Sequence, residues 1–363
     1  MSDVDLTVIL PNYNHARFLP RALDAILSQS ARPREVIAVD DASTDGSLRV
    51  LDGYARKYPL VQVVRHDANR GAVAALNTGL RLAAARYVYL GAADDYVLPG
   101  FFEKTCSLFD RHPDAGLCSA YGSYRVGDGP VEANPSGWSD APGFLTPDEL
   151  ADRLRHNIPG HCSIVRREPL LKICGLDPVM GWYSDWLANL TVAFRHGACH
   201  VPETLAVRVL MPENYSAAAG EQGERHVVVL GAFLDRIMSS AYADVAPYFR
   251  RNGAPTYFGP DLLRAAAGRP DRWSPEVLGF LNGFTREQYT GLLADPDPAV
   301  RELAEFFLGP FWRRHAEREE QQKNEAIHLR NLLEQARSQI PPPGAVGKLR
   351  WLARLAARRV AVR

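Results

Sequence analysis

Two adjacent carboxylates, Asp94 and Asp95, close an apolar run in the segment YLGAADDYVLPG, residues 89–100. Paired aspartates at the mouth of a buried strand suggest a site for a divalent metal and a phosphate. Carboxylates supply hard oxygen ligands for Mg2+ or Mn2+, and the metal neutralises a diphosphate. The plainer reading has Asp94 capping the next turn and Asp95 in solvent. A second acidic cluster, DDASTDGS, spans residues 40–47. Asp, Ser and Thr ahead of a helix are ordinary capping residues, and Ser43 or Asp45 fits that duty. Capping needs one acceptor only, so Asp40 and Asp41 remain; a carboxylate there could accept hydrogen bonds from a base or ribose. In the PNYN turn, residues 11–14, Tyr13 could stack on a nucleobase or sit as a turn tyrosine on the core rim. Neither GxGxxG nor GxxxxGK[ST] occurs, so the glycine-loop routes to dinucleotide or triphosphate binding are missing.

The elements that must position these groups are legible from periodicity. Five short runs rich in β-branched and aromatic residues read as strands: 6–10, 35–40, 61–66, 86–92 and 115–121. Between the first two, Phe18, Leu19, Ala22, Leu23, Ile26 and Leu27 recur at helical spacing, with Pro20 in the early turns where its missing N–H costs least. Further amphipathic helices are expected over 45–58 and 71–85. Strand–helix alternation predicts an α/β fold, a mostly parallel, Rossmann-like sheet with helices on both faces. Ligands collect at the carboxyl ends of such strands. The polar clusters PNYN, DDASTDGS, HDANRG and ADD all fall there. Four independent clusters on one edge predict a site.

The chain has 363 residues, 46% of them hydrophobic, enough for a sizeable core. Lys+Arg and Asp+Glu both number 42, so bulk charge identifies no polyanion, and no nucleic-acid partner is expected. Six basic and no acidic residues lie in 341–363, leaving 36 basic against 42 acidic in the remainder. Five scattered cysteines without a CxxC pair argue against a zinc knuckle or disulfide framework and fit a reducing compartment. The acidic start is no signal peptide, and no window approaches the ~20 apolar residues of a membrane span. A cytoplasmic location is expected.

Residues 6–123 resemble the donor-binding half of the family 2 inverting glycosyltransferases, which have the GT-A fold. The matching text is VILPNYNHARFLPRALDAILSQS, EVIAVDDASTDGS, NRGAVAALNTGL and YVYLGAADDYVLPG, in the family's order and spacing. The resemblance continues more weakly to about residue 216. It implies transfer of a sugar from a nucleoside-diphosphate sugar donor to a glycan or lipid-linked acceptor, as in cell-surface polysaccharide synthesis, assisted by Mg2+ or Mn2+. By position it implies that Pro11, Tyr13, Asn14 and Asp41 hold the nucleoside, with Asn69 and Gly71 beside it. The family's Asp-x-Asp falls on Ala92-Ala93-Asp94, so the first acid is absent and Asp94 remains as the metal ligand. The catalytic base, in an acidic motif opening a later helix, falls on Asp185. Trp182 and Trp186 flank it, with sugar stacking and core packing as competing roles, and His161 falls on the acceptor side. Relatives often carry a histidine after Arg208 that helps at the diphosphate; none is present here. These departures motivate an alternative, a non-catalytic nucleotide- or carbohydrate-binding relative. A sugar nucleotidyltransferase is disfavoured, because no Gly- and Arg-rich loop follows the first strand.

The expected organisation is a catalytic domain over 1–220, split into a donor half (1–123) and an acceptor half (124–220), then a helical extension over 221–312. A charged helix over 313–340 is a coiled-coil candidate that would support a homo-oligomer. A PPPG break and a basic amphipathic tail complete residues 341–363. That tail suits an anionic membrane surface, making the protein peripheral on the cytosolic face.

Overall fold

The computed structural model describes residues 2–134, 138–154, 157–211 and 224–309. The expected charged helix, Pro-rich break and basic tail lie outside them. Ten strands form one sheet. Four come early: β1 (Ser2–Asn12), β2 (Ala31–Asp40), β3 (Val61–Arg65) and β4 (Tyr87–Leu90). The short β5 (Tyr96–Val97) and long β6 (Leu117–Val126) follow, then β7 (Glu132–Asn134), β8 (Gly143–Leu145), β9 (Ser163–Arg166) and β10 (Ala198–Leu210). Their order is β3-β2-β1-β4-β9-β6-β10-β5, with β7 on β6 and β8 on β10.

The long ladders β1–β2 and β6–β10 are parallel, as are β2–β3 and β1–β4. The antiparallel ladders are short. One of them matters for the site: β9 runs antiparallel between β4 and β6 and joins the two parallel blocks.

Three helices connect the first four strands: α1 (Leu19–Leu27), α2 (Ser47–Lys57) and α3 (Ala72–Leu82). Each buries the apolar stripe that its spacing prescribes, in α1 through Leu19, Ala22, Leu23 and Ile26. A fourth, α4 (Phe101–Arg111), was not anticipated; it buries Phe101, Phe102 and Phe109, and Phe109 stacks on Tyr87 at 4.5 Å. The middle adds α5 (Pro147–Arg153), α6 (Arg167–Lys172) and α7 (Ser184–His196). Beyond β10 the described chain is helical: α8 (Glu224–Met238), α9 (Ala246–Asn252), α10 (Pro260–Ala267), α11 (Pro275–Leu281), α12 (Arg286–Gly291) and α13 (Pro298–Leu308). Among the described residues no helix is long and apolar enough to cross a membrane.

Candidate active site

At the carboxyl ends of β1 and β2, neighbouring strands hold side chains in register. Asn12 stands opposite Asp40, and its amide donates to the Asp40 carboxylate at 2.7 Å. The other Asp40 oxygen accepts from the Ser43 N–H at 3.0 Å. Both residues are buried, so this pair is a structural clasp at the strand ends. Asn14, in the left-handed region at φ 56°, accepts from the backbone of Thr44 and Asp45 with its amide oxygen. It braces the loop and does not line the cavity beside it.

Asp41 is more heavily engaged than its sequence position suggests. Its carboxylate accepts from the backbone N–H of Arg70 and Gly71 and lies 2.6 Å from His66 Nδ1. Gly71 has φ 86°, a conformation that suits glycine, and this turns its N–H to Asp41 Oδ2 at 2.7 Å. Asn69 accepts from the same N–H at 3.0 Å. Asp41 therefore fastens the loop after β3 to the end of β2, and one carboxylate organises two strand ends. Tyr13, by contrast, is 43% exposed and lines the cavity, with no ring contact to another described residue. That disposes of the core-rim reading and leaves an aromatic face open.

The two adjacent aspartates part company. Asp95 is buried and accepts from the Val209 N–H at 2.8 Å, extending the short β5–β10 ladder. Burial, reinforced by the neighbouring Asp94 charge, pushes its carboxyl up to about 8. The plainer reading, with Asp95 in solvent, does not hold. Asp94 is partly exposed on the cavity wall, and Arg21 of α1 grips its backbone carbonyl at 2.8 Å. Ala92 and Ala93 line the wall beside it.

Asp185 sits in the first turn of α7 but does not cap it; its Oδ1 accepts from the N–H of the next residue, Trp186, at 2.8 Å. Burial raises its carboxyl above the ordinary carboxylate range. Gly160 makes room for it: a Cβ there would stand 2.3 Å from Asp185 Oδ2. Next along, His161 lines the cavity with its Nε2 unpartnered, and burial, then the Arg208 charge, lower its imidazole to about 4.

The two tryptophans also divide. Trp182 lies under the Arg208 guanidinium, 5.2 Å from ring centroid to carbon. Trp186 is 4% exposed and packs on Phe233, Phe249 and Phe258, so core packing is its main role although it borders the cavity.

Of the site residues that the family resemblance implies, all except Asn14 line one cavity of about 880 Å³, within the usual range for small-molecule sites. Asp94 and Asp185 share it with Pro11, Tyr13, Asp41, Asn69 and Gly71. Sequence reasoning missed Arg208. It is a cavity-lining cation on β10 whose charge acts on Asp95, His161 and Asp185 together. The signal was a lone arginine inside the apolar run LAVRVL, residues 205–210. No cluster of three or more metal-ligating side chains occurs among the described residues. A single carboxylate nevertheless suits Mg2+ or Mn2+ when phosphates and water complete the shell.

Residues 7–174 match the model of the family described as Glycosyl transferase family 2. Over 195 residues the chain is 32% identical to an uncharacterized glycosyltransferase of Escherichia coli, YibD, covering 51% of this chain and 56% of that protein. Over 110 residues it is 36% identical to the minor teichoic acid biosynthesis protein GgaB of Bacillus subtilis, covering 30% of this chain and 12% of that one. Thus the chain spans little more than half of the first relative and a small part of the second. Among solved structures, S. aureus TarS 1–349 in complex with UDP-GlcNAc superposes with a TM-score of 0.62 at 16% identity, covering 85% of this chain and 91% of that one. This likeness establishes the fold.

Proposed function

We propose that the cavity moves a sugar, with inversion, from a nucleoside-diphosphate sugar to a hydroxyl of a glycan or lipid-linked acceptor, a reading supported by the match of residues 7–174 to the glycosyl transferase family 2 model. One observation carries this reading: the strand-end residues of the amino-terminal sheet and the carboxylate Asp185 line the same cavity.

Each residue has a task set by its chemistry. The open face of Tyr13 stacks on the nucleobase, and the Asn69–Gly71 loop, held by Asp41, borders the nucleoside. Asp94 would hold Mg2+ or Mn2+ together with the donor's phosphates; the bound metal supplies charge neutralisation at the diphosphate. Arg208 shares that charge from the protein side, in the role that a later histidine fills in relatives.

Asp185 is the base. It takes the proton from the acceptor hydroxyl as that oxygen bonds to the anomeric carbon, while the carbon's bond to the phosphate oxygen breaks and the nucleoside diphosphate leaves. Burial raises its pKa, which makes it a better proton acceptor than an exposed aspartate, and its oxygens are not consumed by capping. The teichoic acid role named for the B. subtilis relative favours a cell-surface polymer as acceptor.

The test is nucleoside diphosphate release across a panel of nucleotide sugars, with Mn2+ and with saccharide and polyol-phosphate acceptors, for wild type, Asp94→Ala and Asp185→Asn. Loss of transfer in both variants supports the assignment; full activity in both overturns it. Tight nucleotide binding without turnover on any donor would favour the non-catalytic alternative, which Ala92 motivates.

A further inference from the structure

The helices after β10 carry none of the matched family segment, yet they reach the cavity. Tyr183, two residues before Asp185, lines it and is held from behind. Its hydroxyl lies 2.9 Å from His226 Nε2 on α8, and the two rings stack at 5.4 Å. Behind it, His226 Nδ1 lies 2.7 Å from Asp261 Oδ2 on α10, both side chains nearly buried. Asp261 is paired in turn with Arg264, which donates to the buried Asp295 at 2.9 Å. Phe258 presses edge-on against Tyr183 at 4.8 Å, and the neighbouring Tyr257 lines the cavity while 54% exposed.

A carboxylate accepts and cannot donate, so Asp261 fixes the imidazole proton on Nδ1. In the neutral ring His226 Nε2 is then an acceptor, and the Tyr183 O–H points at it. The phenol oxygen, with the Trp182 indole N–H beside it, then offers a lone pair and no proton to anything bound in the cavity. We propose that Asp261–His226–Tyr183 is a positioning relay by which the carboxyl-terminal helices build the acceptor side of the cavity. It presents a fixed hydrogen-bond acceptor, flanked by the open ring of Tyr257, to a hydroxyl of the acceptor saccharide. This rests on the transferase reading; His226 and Asp261 act through Tyr183 and touch no substrate.

The experiment measures steady-state kinetics with the donor and acceptor that wild type uses, for His226→Asn, Tyr183→Phe, their double variant and Asp244→Ala. His226→Asn keeps a donor toward Asp261 and removes the partner of the phenol. The acceptor KM should rise about tenfold in His226→Asn, as loss of one oriented hydrogen bond allows, while the donor KM stays within about twofold. The double variant should be no worse than the poorer single one, because both delete the same interaction. Asp244→Ala breaks another tie between α7 and this region, the Arg195–Asp244 ion pair, which touches no cavity residue. It should leave the acceptor KM alone.

An unchanged acceptor KM in His226→Asn, or an equal rise in Asp244→Ala, overturns the relay while transfer itself stands. If wild type transfers no sugar, the transferase reading fails instead. Nitrogen-15 NMR of histidine-labelled protein then decides the relay's proton placement: protonated Nδ1 at His226 supports it, and protonated Nε2 overturns it.

Discussion

Asp185, the proposed base, shows how little would separate a structural carboxylate from a reactive one. Asp40 and Asp41 spend both oxygens on backbone and side-chain donors. Burial makes Asp185 a stronger base than an exposed aspartate. Asp185→Asn should lower turnover by roughly 10²–10⁴-fold with nucleotide affinity unchanged, measured by kinetics and calorimetry. In wild type the acid limb of the rate profile should lie above the ordinary carboxylate range, activity falling as pH drops and the base protonates. His200 gives a second residue-scale prediction. It is fully buried between Tyr121 and Trp138, with neither ring nitrogen partnered, and burial lowers its imidazole to about 4. The neutral ring is the folded form, so stability is fully present above the unfolded pKa near 6.5 and is lost as pH falls toward 4. At 1.36 kcal/mol per unit this amounts to about 3 kcal/mol. His200→Phe should flatten that part of the acid limb in urea titrations at stepped pH, while His161 retains its own share.

Among the elements, the short turn ahead of β9 sets the base's position. Gly160 lies against Asp185, and the atom its missing side chain would meet is the end of a movable carboxylate. Gly160→Ala should therefore leave the melting temperature nearly unchanged and cut turnover at least tenfold by displacing Oδ2. A drop in stability with normal turnover would refute this. The same turn shows what a sequence conceals. The strand-end clusters were legible because each sits beside its own strand and a period of two fixes where the strand stops. Legibility failed for the fate of Asp95, whose partner Val209 lies over a hundred residues away, and for Arg208, which meets Trp182, His161 and Asp185 only once the chain has folded. It failed for Asn14 because an exposed turn residue and a bracing one have the same local text. Trp186 stayed open between sugar stacking and core packing, because the three phenylalanines that surround it come from the later helices.

For the whole molecule, that aromatic cluster joins α7 to the helices beyond β10. Trp186→Ala should cost about 3–5 kcal/mol, the usual range for an emptied aromatic site, read by denaturant unfolding. Trp186→Phe should keep the fold and leave the acceptor KM unaltered, separating packing from sugar contact. The sheet couples its parts with equal force. Strand β9 comes from the middle of the chain yet stands between β4 and β6, and β10 arrives later still to cover the other side of β6. A polypeptide cut after residue 126 would thus retain every nucleotide-side motif but leave β4 with one bare flank and β6 with no long neighbour. Unpaired strand flanks of this kind recruit other chains. The donor-side motifs therefore cannot be harvested as a free-standing module: truncations ending there should yield inclusion bodies, and soluble fragments should begin only once Leu210 has been included.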